Sequence, residues 1–278
     1  MEEITIRKYD DQHVSGNFQI IKLDEDLKHQ QMFEKIHRHD FYYLLAIKAG
    51  GGDHHIDFEH YEIQNYSLFL LRPGQVHELS LEKGGSGFIL TFDKQFYYPH
   101  EEIKIKTFRD LFRKNYYQLD SVSFEEIFQT FNLILNENSQ ELYGYRDAIK
   151  GYLNLLFLQL VRKKGTSIKE KNSMDHEVIE QFSFLLEQQY KLHKTPQFYA
   201  EKLNISTNKL NSISKKILGK TSSQIITEEV ILEAKRNLLA TTLQIKEIAF
   251  LLGFEDDSYF IRFFKKHTNF TPKEFREQ

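Results

Sequence analysis

The pattern of apolar residues changes once along the chain, close to Pro99, and this change constrains the fold more than any other feature. Before it, short runs rich in aromatic and β-branched residues, such as 42–47 and 67–71, alternate with glycine-rich turns at 50–53 and 83–87. Short strands at this spacing are typical of an antiparallel sandwich or barrel. After it, glycine and proline become rare and apolar residues recur at helical spacing. The sequence therefore predicts a β-rich part followed by a helical part.

A chain of 278 residues is long enough for two hydrophobic cores. Residues 142–164 form a predicted helix whose apolar stripe either packs on the barrel or pairs with its copy in a homodimer. Residues 166–173 are polar, as in a solvated linker. We therefore expect a sensing and dimerisation domain over 1–165, a linker over 166–174 and a helical domain over 175–278.

The composition excludes several classes of protein. The chain has no cysteine, which excludes a disulfide framework, a thiolate zinc site and a cysteine nucleophile, and fits a reducing cytoplasmic setting. Its first residues lack the apolar segment of a signal peptide, and the apolar stretch 152–161 is about half the length that spans a bilayer, so we expect no membrane segment. The net charge of −3 divides into −6 for residues 1–195 and +3 for residues 196–278. A basic C-terminal part suits a nucleic-acid-binding module.

Start and stop signals divide residues 175–278 into seven short helices. Five of these helices have predicted capping residues: Asp175, Thr195 before Pro196, Ser206, Asp256 or Asp257, and Thr271 before Pro272. The fourth helix is predicted to begin at Ser222 or Ser223 and to run to about Ala240. The fifth helix, over 245–252, ends at Gly253. The order helix, short turn, helix therefore occurs twice, around residues 204–205 and around 253–255. Such a turn places the second helix across the first, where its exposed face can enter a DNA major groove.

The second helix of the second unit has two different faces. Its apolar residues are predicted to hold the helix in place: Tyr259, Phe260, Phe263 and Phe264. Among the polar residues between them, Arg262 suits a guanine edge, and Lys265 and Lys266 suit phosphates. A solvated amphipathic helix is the plain alternative for one such helix. Its repetition about fifty residues apart favours DNA binding.

The residues of this second unit resemble a known family. The string from Ile245 to Lys266, followed by Thr271-Pro272 and Phe275-Arg276, is similar to the signature of the AraC/XylS transcription regulators, and the resemblance covers about the last 100 residues. Members of that family insert two recognition helices into successive major-groove turns. The DNA-contacting residues that the resemblance and the polar faces imply are Ser206, Asn208, Asn211, Ser212, Lys215, Asp257, Ser258, Ile261, Arg262, Lys265 and Lys266.

The chain departs from the family pattern at three places. It has Val230 where the long connecting helix often carries Arg, and Asn269 where Gly usually precedes Thr-Pro. Asn tolerates the left-handed conformation that such a position needs. The first recognition helix offers Asn and Ser where other members often place Arg. We therefore expect the second unit to discriminate more strongly between DNA sequences.

The first part resembles the cupins, which are small jelly-roll barrels. The resemblance rests on His37, His39 and Tyr43, and on His77 four residues after Pro73. Cupin enzymes hold a metal with histidines and a Glu, and Tyr43 stands where that Glu is expected. We therefore expect no metal, no cofactor and no catalysis.

A cupin-like domain in many AraC-type regulators binds a small effector inside its barrel. The resemblance therefore implies that His37, His39, Tyr43 and His77 line a polar pocket for a small molecule. Their alternative role is structural, as histidines that join the two sheets at one mouth of the barrel. His54 and His55 follow a glycine-rich turn and are predicted to lie on an exposed hairpin.

The expected fold is α+β, with an N-terminal antiparallel β jelly-roll, accessory helices and a C-terminal all-α domain containing two helix-turn-helix units. The first hypothesis is a cytoplasmic, homodimeric regulator that binds double-stranded DNA at a promoter operator and responds to a small-molecule effector. RNA polymerase is a further candidate partner. One alternative is a cupin metal-binding or enzymatic barrel fused to a DNA-binding module. Another is a regulator without a small-molecule ligand, whose barrel is filled by its own Phe and Tyr side chains.

Overall fold

A computed structural model describes residues 6–7, 17–24, 27–99, 102–163 and 174–277. The chain divides into two compact units between residues 165 and 166. The predicted linker lies outside the described residues except for Met174. None of the helices in the described part has the length and apolar character needed to cross a membrane.

The first unit contains two sheets of five strands each within its described residues. The strands are β1 (Ile6–Arg7), β2 (Phe18–Lys22), β3 (Met32–His39), β4 (Tyr42–Ala49), β5 (Gly52–Ile56), β6 (Glu59–Ile63), β7 (Ser67–Leu71), β8 (Val76–Leu81), β9 (Ser86–Phe92) and β10 (Tyr116–Gln118). One sheet has the order β1-β3-β8-β5-β6, and the other has the order β10-β7-β4-β9-β2. All neighbours are antiparallel except β1, which runs parallel to β3. The predicted antiparallel β fold is confirmed.

The two faces of the second sheet belong to two different cores. One core lies between the sheets, and the other contains side chains of helices α1 (Glu102–Phe112), α2 (Ser121–Gln140) and α3 (Tyr145–Lys163). The apolar side chains of β4 therefore alternate between two buried environments. This arrangement explains why residues 42–47 form a continuous apolar run, since a strand covered on both faces needs no polar alternation.

Two expectations for the helical segment of this unit need correction. Helix α3 begins at Tyr145 and not at residue 142, because Gly144 with φ +78° separates it from α2. β10 is a strand inside the predicted helical part, where three residues are too few to show a pattern, and it pairs with β7. α3 buries Ile149, Leu153 and Leu156 in the core that it shares with the second sheet. Packing on the barrel, the first of the two roles expected for this helix, is confirmed.

The second unit contains all seven predicted helices. They are α4 (Met174–Gln189), α5 (Pro196–Lys202), α6 (Thr207–Leu218), α7 (Ser222–Ala240), α8 (Ile245–Leu251), α9 (Asp257–Thr268) and α10 (Pro272–Arg276). Ser206, Asp256 and Thr271 cap their helices as predicted. α7 begins at Ser222, as predicted, and is capped by Thr221, whereas Asp175 lies in the first turn of α4 instead of capping it.

The long helix α7 supplies the largest share of the core of this unit. Its buried face includes Ile226, Val230, Ala234 and Leu238, and these side chains contact apolar residues of the shorter helices. Because α7 joins the two helix-turn-helix units and packs against α6, α9 and α10, it fixes their positions within this unit.

Candidate functional site

The two helix-turn-helix units have turns of the same geometry. In the first, the Ile205 amide donates to the Ala200 carbonyl over 3.0 Å, and in the second the Phe254 amide donates to the Ala249 carbonyl over 2.9 Å. The residue inside each turn has a left-handed backbone, Asn204 with φ +54° and Gly253 with φ +76°. Glycine, and to a lesser degree Asn, adopts this conformation without strain. The pairs α5–α6 and α8–α9 therefore have the same local structure.

Helix α9 presents a polar face to solvent and a narrow apolar edge to the core. Phe260 and Phe264 are fully buried, and Phe263 is half-buried. Tyr259 was predicted to hold the helix, but 55% of it is exposed, because a neighbouring helical residue points about 100° away from Phe260. The exposed candidate DNA contacts are Ser258, Arg262, Lys265 and Lys266, and the half-buried ones are Asp257 and Ile261.

Helix α6 offers a smaller set of exposed polar groups. Asn208, Ser212 and Lys215 are exposed. Asn211 is half-buried, and its Oδ1 accepts hydrogen bonds from the amide and the hydroxyl of Ser222 over 3.0 and 3.2 Å. The Ser206 hydroxyl accepts from the Lys209 amide and caps α6. The carbonyl oxygen of Asn211 and the hydroxyl oxygen of Ser206 thus stabilise the ends of α7 and α6.

Lys194 connects the loop after α4 to the turn between α8 and α9. Its ammonium donates to the Lys191 carbonyl over 2.7 Å and to the Gly253 carbonyl over 3.0 Å. It also lies 4.8 Å from the ring centre of Phe254. Burial lowers the pKa of Lys194. These contacts join the turn between α8 and α9 to the loop that precedes α5.

The barrel brings the predicted pocket residues together. His37 and His77 are cross-strand partners on β3 and β8 with ring centres 4.2 Å apart. The ring of His39 lies 5.0 Å from that of His77. Tyr43, on β4 of the opposite sheet, lies 5.5 Å from His39 and 5.2 Å from His77. All four side chains are nearly inaccessible to solvent.

His54 belongs to the same cluster, which corrects the expectation of an exposed hairpin. Along β5 the side chains alternate, so that His54 is fully buried while His55 is exposed. The Nε2 atom of His54 lies 3.0 Å from Nδ1 of His77, and the two rings share a hydrogen bond. Strand alternation was the signal that could have separated the two neighbours, since only one of them can face the core.

Burial, followed by the charges of His37 and His39, lowers the pKa of His54 from 6.5 to about 3. The ring is therefore neutral at physiological pH, with one N–H and one lone pair. Its Nδ1 is buried and has no hydrogen-bond partner among the described residues. Such an atom carries a desolvation cost unless something else satisfies it.

His37 and His39 are held by backbone and carboxylate groups. His37 donates from Nδ1 to the Lys35 carbonyl over 2.8 Å, and its Nε2 lies 3.4 Å from a carboxylate oxygen of Glu34. His39 donates from Nδ1 to the Phe41 carbonyl over 2.9 Å. These contacts fix the ring orientations. Among the described residues, no group of three or more His, Asp or Glu side chains is placed to hold a metal ion.

Two family models match the chain, one in each unit. The AraC-like ligand binding domain matches residues 25–141, and a helix-turn-helix domain matches residues 199–278. The chain therefore combines an AraC-like ligand-binding domain with a helix-turn-helix domain. The resemblance inferred from the sequence is therefore confirmed.

Individual relatives match to different extents. The Xylose operon regulatory protein of Haemophilus influenzae is 42% identical over 74 residues, which are 27% of this chain and 19% of that protein. The HTH-type transcriptional activator RhaR of Escherichia coli is 22% identical over 248 residues, covering 86% of each chain. The crystal structure of ToxT from Vibrio cholerae covers 94% of this chain and 97% of that one, at 19% identity and a TM-score of 0.46.

The departures of this chain from the AraC/XylS pattern have local explanations. Val230 is buried in the apolar core of its unit, where an unpaired Arg would carry a large desolvation cost. Six residues later, the buried Arg236 pairs with Glu233, which also accepts from the Tyr190 hydroxyl over 3.4 Å. Asn269 ends α9 with φ +68°, as expected for a residue that replaces glycine.

Proposed function

We propose that this protein is a sequence-specific transcription regulator, with α6 and α9 as its two DNA-reading helices. The observation that carries the proposal is the repeated unit, in which a left-handed turn leads into a helix with a buried edge and an exposed polar face. We further propose that α9 contributes most of the base discrimination, because Arg262 is exposed and no predicted base-reading residue of α6 is an Arg.

The test compares one residue proposed to read a base with one proposed to contact a phosphate. An operator is selected from random duplexes with the full chain, and binding to its single-base variants is measured. Arg262→Ala should lose about 1–3 kcal/mol of discrimination at one base position. Lys266→Ala should weaken binding to all variants alike and reduce the slope against log salt by about 1. Equal loss of discrimination in both variants would contradict these assignments.

We propose that the barrel binds a small effector with hydrogen-bonding groups, next to His37, His39, Tyr43, His54 and His77. Support comes from five buried polar rings gathered at one place and from the buried Nδ1 of His54, which has no hydrogen-bond partner among the described residues. A neutral imidazole can accept from or donate to a hydroxyl group, depending on which nitrogen carries the proton. A ligand at this position would satisfy an atom that is otherwise costly to bury.

His55 provides a matched control, because it is the next residue of the same strand and faces outward. The full chain, His54→Gln and His55→Gln are screened by thermal shift against sugars and small carboxylic acids. A compound bound in the barrel raises the melting temperature of the wild type and of His55→Gln but not of His54→Gln. If no compound stabilises the wild type, the regulator without a ligand is favoured. Stoichiometric metal that His77→Ala removes would support the metal-binding barrel instead.

We propose that the protein is a homodimer that uses the outer face of α2 and α3. Leu133 on α2, and Leu155 and Leu158 on α3, are 45%, 39% and 44% exposed, whereas the opposite side of both helices is buried. A second copy covers such a stripe by two-fold symmetry and doubles the number of DNA-reading helices. In sedimentation velocity, Leu158→Glu should shift the protein toward the monomer, and Leu192→Glu in the other unit should not. The DNA partner would place the dimer in the cytoplasm, where RNA polymerase is its candidate contact.

A further inference from the structure

Asp175, in the first turn of α4, contacts two lysines of the first DNA-reading helix. The Nζ atom of Lys216 lies 2.7 Å from one oxygen of Asp175, and the Nζ atom of Lys209 lies 4.0 Å from the other. The Asp175 side chain is only 21% exposed, while the two lysines are 68% and 59% exposed. The hydrogen bond from Lys216 and the charges of both lysines lower the pKa of Asp175, so this carboxyl group is ionised at neutral pH.

The two lysines flank the exposed face of α6. They are seven residues apart, which is close to two helical turns, so they lie along one side of the helix. Their neighbours Asn208, Ser212 and Lys215 form the face proposed to enter the major groove. When a helix lies in a major groove, cations along its side reach the phosphates that border the groove. Lys209 and Lys216 were not among the DNA contacts expected from the sequence.

We propose that Lys209 and Lys216 bind the DNA phosphate backbone and that Asp175 competes with the phosphates for them. This inference rests on the proposed DNA-binding function of α6. Asp175 pairs with the same two lysines that would contact the DNA phosphates. It lies in the first turn of α4, the helix of this unit that is nearest in sequence to the barrel unit. A shift of this turn therefore changes the number of lysines available to DNA without any change in α6.

The expected size of the effect follows from counterion release. Each additional phosphate contact steepens the dependence of log K on log salt by about 0.9 and strengthens binding about fivefold near 0.15 M salt, relative to 1 M. Asp175→Asn frees Lys216, which has the shorter contact, and to a smaller degree Lys209. We therefore expect a gain of about fivefold and a slope steeper by about 1.

The experiment needs no operator, because phosphate contacts are independent of sequence. Fluorescence anisotropy measures binding of the full chain to a short random-sequence duplex at several salt concentrations. The variants are Asp175→Asn, Lys216→Gln and the double variant, and Asp147→Asn is the control. Asp147 belongs to the first unit and pairs with Lys150 over 3.4 Å, so its variant has the same change in net charge but leaves the residues of the helical unit unchanged.

Tighter binding with a steeper slope in Asp175→Asn, largely lost in the double variant and absent from the control, supports the proposal. Unchanged or weaker binding by a folded Asp175→Asn overturns it and leaves the contact as a structural link between α4 and α6. Asp175→Ser is measured as well, so that a folding defect particular to Asn does not decide the result. If the wild type itself shows no salt-dependent binding, the proposed DNA-binding function fails, which is a different outcome.

Discussion

Among single substitutions in the second helix-turn-helix unit, Gly253→Ala should lower the stability most. Gly253 has φ +76°, where a residue with a side chain loses about 1–2 kcal/mol. A Cβ atom at this position would lie 1.8 Å from the carbonyl oxygen and 2.8 Å from the carbonyl carbon of Lys191, and contacts under 3.0 Å are not tolerated. The backbone of residue 191 would have to move by about 1 Å and strain both hydrogen bonds of Lys194. Overpacking of this kind adds about 1–3 kcal/mol.

Gly219 supplies the matched control, because it also has a left-handed backbone, with φ +71°, and a Cβ there meets nothing within 4 Å. The chain has no tryptophan, so urea unfolding is followed by far-UV circular dichroism. Gly219→Ala should lose about 1–2 kcal/mol and Gly253→Ala about 2–5 kcal/mol. Gly253→Asn should also lower the free energy of unfolding, although Asn204 occupies the same position of the first helix-turn-helix unit. Equal losses in the two alanine variants would refute the role of the Lys191 carbonyl.

Three further predictions concern single side chains. Asp256→Ala removes the oxygens that accept from the amides of Ser258 and Tyr259, and urea unfolding should show a loss of about 1 kcal/mol together with weaker DNA binding. Tyr199→Phe removes a hydroxyl that donates to the His193 carbonyl over 2.6 Å, which should cost about 1 kcal/mol in the same assay; no change would mean that water replaces the contact. The lowered pKa of His54 means that the unfolded chain takes up this proton first as pH falls. The contribution of His54 to the free energy of unfolding is therefore complete above pH 6.5 and should fall by about 1.4 kcal/mol per pH unit toward pH 3. His54→Gln should lack this slope.

Local sequence signals predicted the helices of the C-terminal unit well. A cap, a proline at the first helical position or a left-handed terminal residue acts within one turn of helix, so its effect is independent of distant contacts. All seven helices and both turns were found on this basis. The errors were small ones at helix starts, such as Asp175, which lies in the first turn of α4 and does not cap it.

Features that depend on strand pairing or on packing were harder to predict. His54 joined the barrel cluster because the register of β5 points it inward, and a register is set by partner strands far away in sequence. β10 exists only because β7 offers it an edge. Tyr259 seemed part of an apolar face, but the width of the buried edge of α9 depends on the helices around it.

The sequence by itself determined the two-part architecture, the repeated helix-turn-helix unit and the resemblance to a family, because periodicity, caps and motifs are local features of the chain. Only the tertiary structure decided which polar groups remain available for ligands. It assigned the Asn211 oxygen to the start of α7 and brought Asp175 to the lysines of α6. It also shows why Gly253 leaves no room for a side chain, since a Cβ atom there would collide with the carbonyl of Lys191. Each of these outcomes depends on a contact between residues distant in sequence, which no local pattern contains.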